Sequence, residues 1–173
     1  VKMLAKTFHT SWAEEIGRTY VEQYVKDERY ISDDDYMNII RMQIEANDQA
    51  LKTCNRICFF DTDIIVTYYY YCMYAKINGK QVPEQMKNLF DSEFNAYYLN
   101  MYDYYVFCKV DGVKWVDDGI RRHSNYREEL EESLLKIYTN DTYNNLTFQY
   151  LSGNYNERWK YMYSFVNDIL MKG

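Results

Sequence analysis

Two kinds of apolar pattern alternate along this chain. Val1, Leu4, Ala5 and Phe8 follow the i, i+3, i+4, i+7 spacing of one helical face. The chain is therefore expected to open inside a helix, with no N-cap residue ahead of it. From Asp33 a long helical pattern runs to about Thr53, carrying Tyr36, Ile39, Ile40, Gln43, Ile44 and Asn47 along one side. The run Ile57-Cys58-Phe59-Phe60 is continuous and short, and ends at Asp61-Thr62-Asp63. That second pattern suits a strand buried on both faces, as in a parallel sheet.

Residues 64–75 are dense in Val, Ile and Tyr and predict a helix, since no turn separates them from the preceding run to allow a second strand beside it. Asn78-Gly79-Lys80 to Pro83 is a loop by its breakers. Tyr104-Tyr105-Val106-Phe107-Cys108 is a second buried-strand pattern, closed by Asp111-Gly112. Glu128 to Tyr138 predicts a helix with Leu130, Leu134 and Tyr138 on one stripe. Thr147-Phe148-Gln149-Tyr150-Leu151 is a third strand, followed by a turn at Gly153-Asn154. A last helix, about Asn156 to Met171, is expected to bury Trp159, Met162, Val166, Ile169 and Leu170.

Short apolar strands separated by helices predict an α/β layer fold, a parallel sheet flanked by helices. No repeat, low-complexity tract or linker divides the 173 residues, which suit one domain. In such sheets ligands sit beyond the carboxyl ends of the strands, so the polar residues after each strand carry the candidate chemistry.

Composition narrows the classes. Hydrophobic residues make up 47% and charged residues 27%, which excludes global disorder and collagen-like repeats. No stretch reaches 18 uninterrupted apolar residues, so no membrane span is expected. A formal net charge of -6 argues against a nucleic-acid partner, which needs a basic face. The 21 Tyr are spread along the whole chain and read as background composition, with a binding surface as the other reading. Cys54, Cys58, Cys72 and Cys108 form no CxxC pair, and His9 and His123 lie far apart, so no Cys/His metal site is expected. Unpaired cysteines of this kind fit a reducing, cytoplasmic compartment.

Asp61 stands at the tip of the first strand, where a carboxylate can hold Mg²⁺, take a proton from a substrate hydroxyl, or simply cap the next helix. Asp63 shares those readings. After the second strand, Trp115-Val116-Asp117-Asp118-Gly119-Ile120-Arg121-Arg122 gathers an aromatic, two acids, a glycine and two arginines. Arginine forks match phosphate oxygens and an exposed Trp can stack on a flat ring; the other reading is a core Trp beside a solvated loop. After the third strand, Tyr155 either faces the same pocket or lies on the surface, and Arg158 is a phosphate ligand or a structural one. Glu15 and Arg18 either contact a substrate or pair with each other.

Phe60-Asp61-Thr62-Asp63, Trp115-Val116-Asp117-Asp118-Gly119-Ile120-Arg121, Gly153-Asn154-Tyr155-Asn156-Glu157-Arg158 and Glu15-Ile16-Gly17-Arg18-Thr19-Tyr20 occur in this chain at suitable separations. Together they resemble the ribosylnicotinamide kinase domain of the NadR-type NAD-salvage proteins, a branch of the P-loop kinases with an AAA-like ATPase fold. The similarity covers essentially the whole chain, and the Trp-Val-x-Asp-Gly-x-Arg element is its most specific part. The resemblance implies one nucleoside-kinase-like domain over residues 1–173, with a lid at about 119–128. It implies transfer of the ATP γ-phosphate to the ribose 5′-hydroxyl of nicotinamide riboside, with Mg²⁺, giving nicotinamide mononucleotide. On that reading Asp61 handles Mg²⁺ or the attacking hydroxyl, with Asp63 nearby. Trp115 and Tyr155 are opposite walls of the nicotinamide site. Asp118 holds ribose hydroxyls or the positive ring, Arg121 and Arg127 are lid arginines over the phosphates, and Glu15 and Arg18 line the substrate side. The implied partners are nicotinamide riboside and ATP, with neither nucleic acid nor membrane; a homo-oligomer is compatible with it.

The chain departs from the family in two places. The GxxxxGK[ST] phosphate loop belongs directly before the first helix, and none of the 6 glycines (Gly17, Gly79, Gly112, Gly119, Gly153 and Gly173) lies in such a loop. The expectation is a trimmed piece of a longer protein, without that loop, the strand before it and any adenylyltransferase domain, with weak ATP binding and weak or no turnover. The lid is also short, with Arg122-His123-Ser124 in place of a Ser/Gly-rich stretch. Two other readings stand beside the kinase. One is a P-loop kinase or ATPase for another nucleoside; the other is a non-catalytic domain that senses a pyridine nucleotide.

Overall fold

The computed structural model describes residues 1–26, 31–93, 101–116, 127–139 and 147–172. The chain divides into two compact units, Val1–Ala96 and Tyr97–Gly173, each holding one pair of parallel strands. The mixed α/β class with parallel pairing is the one the sequence pattern predicts.

In the first unit α1 spans Lys2–Thr7, β1 Trp12–Ala13 and α2 Ile16–Tyr20, which runs straight into a π-helical turn at Val21–Val25. Then follow α3 (Asp33–Thr53), β2 (Phe59–Phe60), α4 (Ile64–Ile77) and α5 (Glu84–Glu93). The start of α3 is set by Ser32, whose hydroxyl accepts from the Asp35 N–H at 3.2 Å while the Asp35 carboxylate accepts from the Ser32 N–H at 2.9 Å. This reciprocal cap pairs two backbone donors that the helix itself cannot. Asp33, Asp34 and Asp35 also place negative charge at the positive end of the helix dipole.

One face of α3 is the core of this unit: Tyr36, Met37, Ile39, Ile40, Gln43, Asn47 and Ala50 are buried, while Ile44 is only half-buried. Two of those residues are polar, and their partners explain why burial is tolerated. The Gln43 side-chain carbonyl accepts from the Ile16 N–H at 2.9 Å. Its amide donates to the Glu14 carbonyl at 3.1 Å and to Asn47 Oδ1 at 3.0 Å. The helix thus pairs the backbone of the segment leaving β1. Packing of α4 on α3 uses the same logic: Tyr71 meets Tyr36 edge-on at 4.9 Å and its hydroxyl donates to Asp33 at 3.0 Å.

Two expectations about the first strand are corrected here, and one helix is added. The strand expected over Ile57–Phe60 is confined to Phe59–Phe60 and is half-buried, because Asn55 to Ile57 form a tight turn instead. Its partner is not another of the expected strands but Trp12–Ala13, whose two residues are too few to show an alternating pattern. The loop after Asn78 ends at Pro83, where α5 begins: the Pro83 carbonyl accepts from the Met86 and Lys87 N–H groups at 3.1 and 3.2 Å. Buried Met86 and the face-to-face stack of Phe90 on Tyr68, 4.0 Å between centroids, anchor that helix.

In the second unit β3 (Tyr104–Cys108) pairs in parallel with β4 (Thr147–Leu151), Tyr104 opposite Thr147 through Cys108 opposite Leu151. Helix α6 spans Arg127–Tyr138 and α7 Tyr155–Lys172. Alternation along the strands gives each helix its own face. Tyr105, Phe107 and Phe148 meet Tyr138 of α6 at 5.7, 6.3 and 6.0 Å between centroids. On the other face Tyr104 meets Phe165 of α7 at 5.4 Å, and Gln149 accepts from the Tyr161 hydroxyl at 2.8 Å. This unit is therefore a helix, a parallel pair and a helix in layers. The strands are less buried than the apolar pattern predicts, with Tyr104, Cys108, Thr147 and Tyr150 exposed. Of the five residues expected inside α7, Met162 and Val166 are buried, and Trp159, Ile169 and Leu170 are half-buried. Two strands give a narrow platform, so only the helix positions directly above it are covered.

Two measurements probe the first unit. Gln43→Leu leaves the part-buried Ile16 N–H and Glu14 carbonyl and the buried Asn47 amide without this partner, and should lower its stability by about 2–4 kcal/mol in urea unfolding; a stability equal to wild type would show that these bonds contribute nothing. Asp35 is the pH-dependent member of the cap. Burial alone raises its carboxyl, but the bonds from the Ser32 hydroxyl and N–H and from Tyr20 outweigh it and hold the group below its ordinary value. Its contribution is then full above about pH 4 and is lost as pH falls through the depressed folded value. The urea midpoint should drop in that acid window for wild type and less for Asp35→Asn.

Candidate functional site

The carboxyl ends of the two parallel pairs carry the candidate residues, and each end is built by side chains that pair backbone. In the first unit, the Asp61 N–H donates to the Ala13 carbonyl at 2.9 Å, continuing the β1–β2 pairing one residue past the strand. Thr62 then adopts φ 73°, a left-handed conformation that is costly for a β-branched residue. The reversal separates the two acids. Asp61 is exposed beyond the strand end, and Asp63 turns inward, 5% exposed, where it caps α4 by accepting from the Val66 N–H at 3.0 Å. Asp63 thus takes the capping role, and Asp61 is the carboxylate presented to solvent.

Glu15 and Arg18 lie at the same end of this unit. Glu15 is the residue preceding α2, on the segment that Gln43 grips through its two neighbours, Glu14 and Ile16. Arg18 is in the last turn of α2, and both side chains are half-buried. Sequence reasoning noted Gln43 only as one member of a helix face. The available signal was a polar residue at a central position of an otherwise apolar stripe.

In the second unit the loops after β3 and β4 are knitted together by Arg158. Its Nε donates to the Gly153 carbonyl at 2.7 Å, and its Nη2 donates to the Lys109 and Asp111 carbonyls at 2.7 and 2.6 Å. Of the two readings left open for Arg158, the structure shows the structural one. Glu131 of α6 accepts from the Val110 N–H, and Arg127 Nη1 donates to the Val113 carbonyl at 2.8 Å. The loop after β3 is therefore held at four successive points before it reaches Trp115. Asn154 and Glu157 close a reciprocal cap on α7: Asn154 Oδ1 accepts from the Asn156 and Glu157 N–H groups at 2.9 and 3.1 Å, and Glu157 Oε2 accepts from the Asn154 N–H at 2.8 Å.

Against this pinned backbone, two aromatic side chains stand out. Trp115 is 37% exposed and Tyr155, the first residue of α7, is 73% exposed. Asp118 and Arg121 lie outside the described residues, as does most of the lid expected at about 119–128, of which 127 and 128 are described. Among the described residues, no group of three or more His, Cys, Asp or Glu side chains gathers as it would around a metal ion. Among them too, no helix is long and apolar enough to cross a membrane.

A family model described as AAA domain matches residues 1–158. The chain is 29% identical over 140 residues to the trifunctional NAD biosynthesis/regulator protein NadR of Escherichia coli (strain K12), covering 79% of this chain and 31% of that protein. It is 30% identical over 122 residues to the protein of the same name from Salmonella typhimurium, covering 70% and 27% respectively. The chain thus spans about a third or less of these curated relatives. Among solved structures, its fold resembles a NadR protein in complex with NAD and AMP-PNP, with a TM-score of 0.73 at 22% identity over 97% of this chain and 44% of that one. It also resembles a NadR protein in complex with NR, with a TM-score of 0.64 at 24% identity over 87% and 41%.

The tightest point of the second unit offers a test. Gly112 has φ 72°, and a Cβ there would sit 2.5 Å from the Gly153 carbonyl carbon and 2.7 Å from its Cα and oxygen. Those atoms are backbone and cannot swing away. Gly112→Ala should therefore lower Tm well beyond Gly79→Ala, where φ is 65° but nothing lies within 4 Å of the added carbon. Equal losses would mean that the two loops separate without cost.

Proposed function

The chain belongs to the AAA-domain family, and from that premise we propose that it forms the nucleoside-kinase part of an NAD-salvage enzyme. It transfers the γ-phosphate of ATP to the ribose 5′-hydroxyl of nicotinamide riboside. The observation that carries this reading is Asp61, an exposed carboxylate set beyond the end of a parallel strand by the left-handed Thr62. Phosphoryl transfer asks mainly for positioning and for charge neutralisation. A carboxylate at that place can accept a hydrogen bond from the 5′-hydroxyl and hold its proton as the phosphorus–oxygen bond forms. Mg²⁺ fits the same group, since this ion commonly takes one or two carboxylates and fills its other positions with water and phosphate oxygens. When bound, it neutralises phosphate charge. Asp63 is committed to its helix cap, so Asp61 is the residue assigned to the ion.

The nicotinamide ring is assigned to Trp115 and Tyr155. A relative crystallised with NR, taken as nicotinamide riboside, supports a pyridine nucleoside as substrate. Exposed aromatic faces gain from stacking on a flat ring and from its positive charge. Glu15 and Arg18 are assigned to the substrate side, Asp118 to the ribose hydroxyls or the ring, and Arg121 and Arg127 to the phosphates. Arg127 uses one of its five N–H donors on the Val113 carbonyl. The sequence contains no GxxxxGK[ST] run, so no residue of this chain is assigned to the β-phosphate.

The test is ADP release with nicotinamide riboside, using the product of the whole reading frame. Asp61→Asn should lower kcat by about 10²–10⁴-fold with little change in either KM. Trp115→Ala should raise KM for nicotinamide riboside by about tenfold while KM for ATP holds within twofold. Equal loss of both ligands would remove Trp115 from the ring site. Silence with nicotinamide riboside alongside turnover of another nucleoside would overturn the substrate.

A further inference from the structure

Between α3 and β2 the chain reverses within three residues. The Ile57 N–H donates to the Asn55 carbonyl at 2.8 Å and Arg56 between them has φ 66°, a γ-turn of the rare, strained hand. Asn55 and Ile57 face each other as an antiparallel pair. One step outward from that isolated bridge, Cys54 and Cys58 flank the turn as the next pair in register. Directly opposed residues of an antiparallel pair have Cα atoms about 4.5–5.5 Å apart, inside the window of about 4.4–6.8 Å that a disulfide spans. Both are free, half-buried thiols.

The surroundings hold the turn and engage each sulfur. Thr10 clamps the turn from outside: its hydroxyl donates to the Ile57 carbonyl and accepts from the Asn55 N–H at 2.9 Å. Cys54 Sγ lies 3.2 Å from the Leu51 carbonyl, at the end of α3. Cys58 Sγ lies 3.7 Å from the Ser11 hydroxyl and 3.8 Å from the Ser11 carbonyl. We propose that Cys54 and Cys58 form a redox-active dithiol that closes reversibly to a disulfide across this turn. Neither residue has a role in the kinase reading, and the proposal stands without it.

Burial pushes the Cys58 thiol up, the Ser11 hydroxyl works against that, and the neighbouring Cys54 sulfur raises it further. Cys58 is therefore the resolving partner. The oxidant is a low-molecular-weight disulfide. The Cys54 thiolate attacks one of its sulfurs, forming a mixed disulfide and releasing one thiolate. Cys58 then gives up its proton, and its sulfur attacks Cys54 Sγ and expels the second thiolate. Two protein thiols are oxidised, one external disulfide is reduced to two thiols, and the two cysteine protons pass to the released thiolates.

Arg56 makes the product easy to read. Trypsin cuts after Lys52, Arg56 and Lys76, so a Cys54–Cys58 bond links peptide 53–56 to peptide 57–76. Because the second peptide also contains Cys72, the native chain is compared with Cys72→Ser and Cys58→Ser. Each is equilibrated with mixtures of oxidised and reduced glutathione, its free thiols are blocked, and the digest is weighed by mass spectrometry. The linked pair should appear in wild type and in Cys72→Ser, vanish in Cys58→Ser and vanish on dithiothreitol treatment. It should also form more readily in the native chain than in urea. Loss of the link in Cys72→Ser, separate glutathione adducts on Cys54 and Cys58 at saturating oxidised glutathione, or faster closure in urea would each overturn the proposal.

Discussion

Strands of two to five residues cannot pair their own ends, and the backbone polar groups left there must find partners before the chain can bury anything over them. This constraint shapes both units. In the first, a buried glutamine on α3 reaches across to the N–H of Ile16 and the carbonyl of Glu14. In the second, Arg158 collects three carbonyls from two loops and Glu131 accepts a further N–H. Long polar side chains do here what a broader sheet would do with neighbouring strands. The arrangement fixes the backbone at the strand ends, which is where an α/β fold places its chemistry.

Seen this way, the polar residues near the strand ends fall into two sets that the sequence does not separate. Asp61 and Asp63 are two residues apart and chemically identical, yet one closes a helix and the other faces water, because Thr62 takes a left-handed conformation between them. Arg158 reads as well as Arg127 for a phosphate ligand, but its guanidinium holds three backbone carbonyls. The side chains that remain outward, Asp61, Trp115 and Tyr155, stand on backbone that other residues hold still. Rigid support under an outward group is the condition for precise placement of a substrate.

Much of the fold was legible. The long stripe from Asp33 to Thr53 follows from its period, the strands Tyr104–Cys108 and Thr147–Leu151 from short apolar runs between breakers, and the apolar helix after Asp63 from the missing turn before it. What escaped was short or depended on distant partners. Trp12–Ala13 is too brief to show alternation and is a strand only because Phe59–Phe60 lies beside it. Ile57 and Cys58 look like strand residues, but Asn55 to Ile57 turn back under the Thr10 clamp, a contact 45 residues apart that no local pattern shows. Pro83 reads as a loop breaker and also begins a helix, since its carbonyl can accept where its nitrogen cannot donate. At the strand ends residue types were enough to nominate candidates, while backbone conformation and long-range hydrogen bonds decided which of them are exposed.

The meeting of Gly112 and Gly153 has a consequence for how this domain can change over time. The segment leading to Trp115 and the segment leading to Tyr155 touch backbone to backbone at these two positions. Gly112 admits no side chain because the Gly153 backbone stands where its Cβ would go, while a side chain on Gly153 would meet Glu157 instead, so a change in one segment is felt by the other. A lineage altering this surface would have to exchange both as one cassette, or work through single side chains beyond the contact. The pair acts as a seam between two inheritable pieces, and it confines variation to the residues that project away from it.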